Sequence, residues 1–542
     1  MALDKAVALP VIIIGGGPIG IATSLLLSRA GVPCVVVERR ETPSCGQSRA
    51  VTIQRDIIAL YDRMGIAEEI LERGSSWSLG RTYYGDEEIL RLTFDRDASS
   101  VYPPFINFAQ YRVEELLHDA IARQEGVRIL HGASAEVVHD GAGADHAMVR
   151  VVDGSGHTRV LNASYVVAAD GVGSPTRKML GIDFHGWRTN GRFLVADFRA
   201  QLPFPTERRL WFSPPFYPEG IVLMHSLGED VWRLDWQIPP ELDVEKELTS
   251  GGVTRRIRAV LDHAQVDEVE IEILRCNGWT FQQRQASRFR QGRVFLVGDA
   301  AHVVSPFGAR GMNSGMEDAE NLAWKLAKVL AGTAPDRLLD TYATERESAA
   351  AHHVLVTGES MNFMTPSTPE ELSERNKTLA QAAKDPAKAH LVDSGKLYEP
   401  HAYTQSPLTT ASECLPTARL PRPGSMIPDF RLIHDGVPTT VRKIAAGRFT
   451  VIRAEAASPD TLRCYSVDES GVVPLFTLQV EGSSTPHPLH HPSDAAYLVR
   501  PDCYLAAVRE IEAGSSDESW MDRIRAAWQQ ALAREPEMEA RT

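Results

Sequence analysis

Hydrophobic residues fall into two kinds of pattern along the chain. Short unbroken apolar runs, Val11-Ile12-Ile13-Ile14, Val35-Val36-Val37 and Val294-Phe295-Leu296-Val297, each stop at a glycine or an acidic residue. Strands covered on both faces read this way. Residues 21–30 follow the first run as a small-residue helix. The third run passes through turn formers (Ser305-Pro306-Phe307-Gly308, Arg310-Gly311) into a helix that opens near Asn313 and is apolar at Met316, Ala319, Leu322, Ala323 and Leu326. Between 184 and 285 the pattern becomes alternating and aromatic, at 209–212, 220–225, 231–238 and 279–282. This predicts an antiparallel sheet with one face solvated and the other walling a ligand.

Beyond Ala331 the pattern loosens. Residues 338–356 read as a helix with His352 and His353 on its surface, and 365–420 as helices joined to a linker. From Pro421 alternation returns (430–433, 449–452, 496–502), and 519–534 closes the chain as an amphipathic helix on Trp520, Ile524, Ala527 and Leu532. The expected class is α/β. One domain is made of 1–183 and 286–358, a sheet domain (184–285) is inserted in it, a helical and linker segment spans 359–420, and a last domain spans 421–542. A length of 542 residues agrees with two or three domains.

Charge and composition narrow the function. A net charge of −14 disfavours nucleic acid, because phosphate binding needs a basic face. No apolar run approaches membrane-spanning length, and residues 9–14 are too short for a signal segment. The six cysteines show neither CxxC nor metal-ligand spacing, which fits reduced thiols in a cytoplasm and no metal site. His487-Pro488-Leu489-His490-His491 reads as a proline-interrupted loop.

The first two runs enclose Gly15-x-Gly17-Pro18-x-Gly20, with Glu38 at the end of the second. Gly15 makes the turn, Gly17 lets a pyrophosphate approach the backbone, and Gly20 lets helix and strand pack closely. The helix N-terminus faces the phosphates, and Glu38 accepts ribose hydroxyls. Glu38 disfavours a 2′-phosphate, which leaves NAD or FAD. Gly298-Asp299 decides for FAD: an Asp at a strand end suits the ribityl hydroxyls of a cofactor whose far half is held by distant chain. Arg49, in a loop entering a helix, and Gln110, at a strand–helix junction, are candidate ligand groups, or else solvated and capping residues. Asp170 carries phosphate-side hydrogen bonds or caps the next helix.

Gly15–Gly20, Asp170-Gly171 and Gly298-Asp299-Ala300-Ala301-His302 resemble, in order and spacing, the three fingerprints of the group A flavoprotein monooxygenases, the single-component FAD-dependent aromatic hydroxylases. The likeness runs from about residue 10 to 331 and is most specific from Gly311-Met312-Asn313 to Leu326. It implies a Rossmann-like FAD-binding domain, an inserted antiparallel-sheet substrate domain, and a C-terminal thioredoxin-like domain without CxxC. It implies non-covalent FAD contacts from Glu38, Arg39, Arg49, Gln110, Asp170 and Asp299. The loop at Pro306 and the stretch Gly311, Met312 and Asn313 would line the flavin. NADH or NADPH visits transiently, and O2 is activated as a C4a-hydroperoxyflavin that hydroxylates a phenol or another electron-rich ring. Tyr217 and His225 are the polar candidates for reaching that phenol, beside Pro306; for His225 the other reading is a satisfied core histidine. A small aromatic substrate and, as an option, a second copy of the chain in a homodimer are the expected partners. Three rivals share the cofactor motifs: a halogenase, an oxidase or reductase, and a non-catalytic FAD-binding sensor. The halogenase WxWxIP signature fails, since Trp232 lies four residues before Trp236.

Overall fold

The computed structural model describes residues 9–42, 50–94, 100–410, 421–481, 487–490, 493–512 and 516–534. Arg49 and His491 lie outside them. Strand β1 (Val11–Ile14) sits inside a six-stranded sheet between β2 (Cys34–Val37) and the strand Val166–Ala168. Val127–Leu130 extends the sheet beyond β2, and Val294–Leu296 extends it on the other side, all parallel. Every residue of β1 is buried, as an unbroken apolar run requires.

Helix α1 (Pro18–Arg29) leaves β1 through a turn in which Gly15 has φ +109°. A Cβ at Gly20 would lie 2.0 Å from the Gly15 carbonyl oxygen, so only glycine permits this approach. The helix Arg310–Leu330 packs across α1 on similar terms. A Cβ on Gly315 would come within 2.8 Å of Ile19 Cδ1. This helix starts at Arg310, ahead of the expected Asn313, because Ala309 adopts a left-handed conformation (φ 58°) and turns the chain into it.

The second large sheet has eight strands, and three of them, Leu79–Tyr84, Glu87–Thr93 and His302–Val303, come from outside 184–285. Arg208–Phe212 pairs with Leu79–Tyr84 in parallel, so the sheet is not wholly antiparallel. Neither broad face is solvated as expected. Trp211, Trp232 and Trp236 pack beneath Val253 and Ile257 of the helix Gly252–His263. On the other face, Phe193, Leu210, Phe212 and Leu223 meet Phe307, Met361, Met364 and Leu379.

The chain after 331 holds two departures from expectation. The helix runs Asp340–Met364, and His353 is fully buried, with its Nδ1 2.9 Å from the Arg310 guanidinium. The C-terminal sheet has seven strands whose described pairings are all antiparallel. A thioredoxin-like arrangement needs a strand–helix–strand crossover and hence a parallel pair. Here Thr450–Ala454 and Thr461–Asp468 form a hairpin instead. No helix among the described residues is long and apolar enough to cross a membrane.

The C-terminal domain is fastened through buried charge. Arg500 donates to both oxygens of Glu345 (2.6 and 2.9 Å) and to Asp502, and Lys325 reaches Glu345 at 2.7 Å. All four side chains are buried within a few per cent of completely. Removing one partner strands the others in low dielectric. Arg500→Ala is therefore expected to destabilise the protein by about 3–5 kcal/mol, read as a lowered midpoint in denaturant unfolding.

Candidate functional site

The turn after β1 forms an open cradle. Gly17 caps α1 without a side-chain hydrogen bond, Pro18 occupies the first turn, and a Cβ on Gly17 would meet nothing within 4 Å. Gly311, in the first turn of Arg310–Leu330, is equally open, and that helix also lacks a side-chain cap. Two helix ends thus offer unpaired backbone N–H groups beside space that no side chain fills. Glu38 lies at the end of β2 with Oε2 2.6 Å from the Gly16 nitrogen and Oε1 2.9 Å from both the backbone N–H and Nε of Arg40. Burial would raise its carboxyl, but these donors hold it below the usual carboxylate range. Arg40 is the arginine at Glu38, while Arg39, expected to contact FAD, is exposed.

The second half of the cradle is the turn Gly298–Ala300. The buried Asp318 accepts from the Gly298 N–H (2.9 Å), lies 2.7 Å from His302 Nε2, and accepts from Arg346 Nε (2.6 Å). Burial would raise this carboxyl, yet His302 and Arg346 keep it low. Asp299 stands on the turn so fixed, half-exposed and at the end of its strand. Met312 is buried beside Asn313, whose amide is spent internally on the Thr52 and Ala309 carbonyls and the Gln54 N–H. Asn313 therefore ties the helix start to the strand Thr52–Gln54. Gln110 accepts from the Ala50 N–H and donates to Glu114. Asp170 accepts from Ser174 Oγ and the Thr176 N–H, the capping role of the two considered. Pro306 is exposed at the tip of its turn. Gly308 beside it permits contact with the segment 393–397, since a Cβ would fall 2.1 Å from the Lys396 carbonyl oxygen.

The face of the eight-stranded sheet toward Phe307 is ordered in cross-strand rows. One row is charged: Arg208 beside His225, then Arg233, Asp197 and Arg275. Arg233 and Asp197 form a bidentate pair (2.6 and 2.9 Å). The next row, Leu210, Leu223, Asp235, Val195 and Asn277, is mostly apolar around one carboxyl. A third brings Gln237, Phe193 and Trp279 together, with the Phe193 ring 5.7 Å from that of Phe307. His225 stands in the first row; burial, with Arg208 and Arg233 nearby, lowers its imidazole to about 3 and keeps it neutral. Tyr217 is on the opposite side. It packs with the cluster under Gly252–His263, donates to the Gln237 carbonyl (2.6 Å), and carries Arg256 over its ring. Tyr217, expected to reach the ligand, thus lies on the face of the sheet opposite Phe307.

Two distant glycine turns form a cradle of the kind that holds FAD, and Phe307 beside it packs on a mixed aromatic and charged wall, the layout of a flavoprotein. Residues 8–357 match the FAD binding domain family, and the chain belongs to it. The chain is 33% identical over 350 residues to a probable NADH-specific resorcinol 4-hydroxylase of Rhodococcus jostii (strain RHA1), covering 63% of this chain and 62% of that protein. It is 30% identical over 453 residues to a dialkyldecalin synthase of Streptomyces rugosporus, covering 83% of this chain and 88% of that one. The structure of the flavin-dependent monooxygenase PieE in complex with FAD and substrate aligns with TM-score 0.77 at 22% identity over 98% of this chain and all of that one, a likeness of fold. The match spans less than two thirds of the length of the hydroxylase relatives. The resemblance to FAD-dependent monooxygenases read from the motifs holds.

The two glycines of the first turn are expected to respond differently to alanine. Gly20→Ala overpacks the turn and should destabilise the fold by about 1–3 kcal/mol. Gly17→Ala should leave unfolding unchanged and weaken FAD about tenfold or more, since its methyl enters the cradle. Denaturant unfolding of the apoprotein and titration with FAD by flavin fluorescence separate the two.

Proposed function

We propose that the protein is an NAD(P)H-dependent flavin monooxygenase that hydroxylates a phenol or another electron-rich aromatic compound. The observation that carries this reading is that Phe307, just ahead of the helix Arg310–Leu330, packs against a wall combining aromatic rings with buried ionisable groups. FAD, when bound, supplies the redox chemistry, accepting hydride from the nicotinamide and activating O2. The chain supplies the rest. Gly17 and the two helix ends hold phosphate and ring oxygens, Glu38 and Asp299 hold sugar and ribityl hydroxyls, and the phenylalanines around Phe307 exclude water. One dinucleotide fingerprint is present in the sequence, so the nicotinamide cofactor has no domain of its own. A resorcinol hydroxylase relative named for NADH favours that reductant.

A second reading has one observation in its favour. The dialkyldecalin synthase matches most of the length of both chains, so a ring-forming reaction on the same cradle is the alternative. Its mark would be product of unchanged elemental composition, formed without NAD(P)H.

The purified protein is expected to be yellow, with FAD released intact by acid or heat. Substrate should stimulate NAD(P)H oxidation on the order of tenfold or more, with a product heavier by one oxygen atom. Stimulated oxidation that yields only hydrogen peroxide would make the protein an oxidase, and isomeric product without NAD(P)H would favour cyclisation.

A further inference from the structure

We infer that Asp235 accepts the hydroxyl proton of the bound aromatic, and that the ligand is therefore a neutral hydroxyarene presented to this sheet face through its O–H group. The inference rests on the monooxygenase reading and adds to it the group that ionises the ring.

Geometry singles out Asp235. It sits on the strand Val231–Ile238, on the face that meets Phe307, between Leu223 and Val195 on the neighbouring strands. Its Oδ1 is buried and has no hydrogen-bond partner among the described residues. A buried carboxyl oxygen left unmatched costs stability unless a ligand completes it. The neighbouring charges are otherwise occupied. Arg233 is spent on Asp197 in a bidentate pair, and Arg208 donates to the Ser394 carbonyl at 2.5 Å. The groups facing Asp235 are thus Arg208, His225, Arg233 and Asp197. Burial is the main cause that lifts its carboxyl to about 7, with Arg233 and Arg208 opposing and Asp197 reinforcing. A base poised there matches proton abstraction near neutrality. His225 is too weak a base, its imidazole lying at about 3, and Tyr217 faces the other side.

The step balances within the ligand and one side chain. The ring O–H bond breaks, its electron pair stays on oxygen, and the proton moves to an Asp235 oxygen. The ring becomes a phenolate, more electron-rich at ortho and para carbons. Asp235 returns the proton when the product regains its hydroxyl.

The sign of the pH dependence follows from a raised carboxyl. The folded state holds this proton more tightly than the unfolded chain, whose Asp titrates near 4. Wild-type stability is therefore lost progressively as pH rises from about 4 to about 7 and is level above. Asp235→Asn removes that loss.

The test uses the FAD-loaded protein, wild type and Asp235→Asn, in two measurements. Thermal unfolding should show the variant a few degrees above wild type at pH 8 and equal to it at pH 4.5. Phenol, resorcinol, 2-naphthol and a hydroxyanthraquinone, each beside its methyl ether, are then titrated against the flavin absorbance at pH 6 to 9. The best-binding hydroxyarene should bind roughly ten- to a hundredfold more weakly to the variant, as expected for a lost charged hydrogen bond. Wild-type affinity should rise through pH 7 while the variant's stays flat, and the methyl ether should bind both proteins alike. A variant no more stable than wild type at pH 8, or equal affinity of both proteins for the hydroxyarene, overturns the assignment and leaves the monooxygenase reading standing. Failure of every hydroxyarene to perturb the flavin of either protein overturns both.

Discussion

Asp318 is the constraint on which the cofactor side of the molecule depends. Its carboxylate is fully buried and meets three partners: the Gly298 N–H, His302 and Arg346. A helix on one side of the cradle thereby grips the strand-end turn on the other. Arg346 extends the grip, donating also to Glu317, to Ser314 and to Tyr403. A charge in so dry a place is tolerable only while every lone pair is matched. The turn carrying Asp299 is consequently held in place by its surroundings.

The fold around this centre was legible where chemistry and local geometry coincide. Gly15, Gly17 and Gly20 announce the turn because each is required by a distance or a conformation that a side chain would forbid. Unbroken apolar runs at β1 and β2 announce strands covered on both faces. Alternation in 231–238 was equally visible, but period two shows only that two faces differ, not what each face meets. Both prove covered, one by the helix Gly252–His263 and the other by Phe307, Met361, Met364 and Leu379. Arg233, Asp235 and Gln237 at alternate positions among apolar residues were the available signal that the second face carries polar groups.

Other features were invisible because they depend on contacts across long separations. Nothing local marks His353 as a buried partner of Arg310, or Leu79–Tyr84 as a strand of the wall. The C-terminal domain shows the same limit. Its alternating segments fit many sheets, and only pairing reveals the antiparallel hairpin where a crossover was expected. Tyr217 illustrates a further ambiguity. A tyrosine near a wall reads as a ligand group until the sheet's sidedness is known.

That sidedness has an evolutionary consequence. The face toward Phe307 takes every second position of the strands, and the intervening tryptophans and aliphatics hold the sheet to its covering helix. The cradle glycines lie in separate turns. Selection can therefore rewrite the alternate positions to suit a new ring system while the scaffold residues and the cofactor turns are inherited unchanged. Divergence of substrate and retention of flavin are independently heritable traits in such a layout.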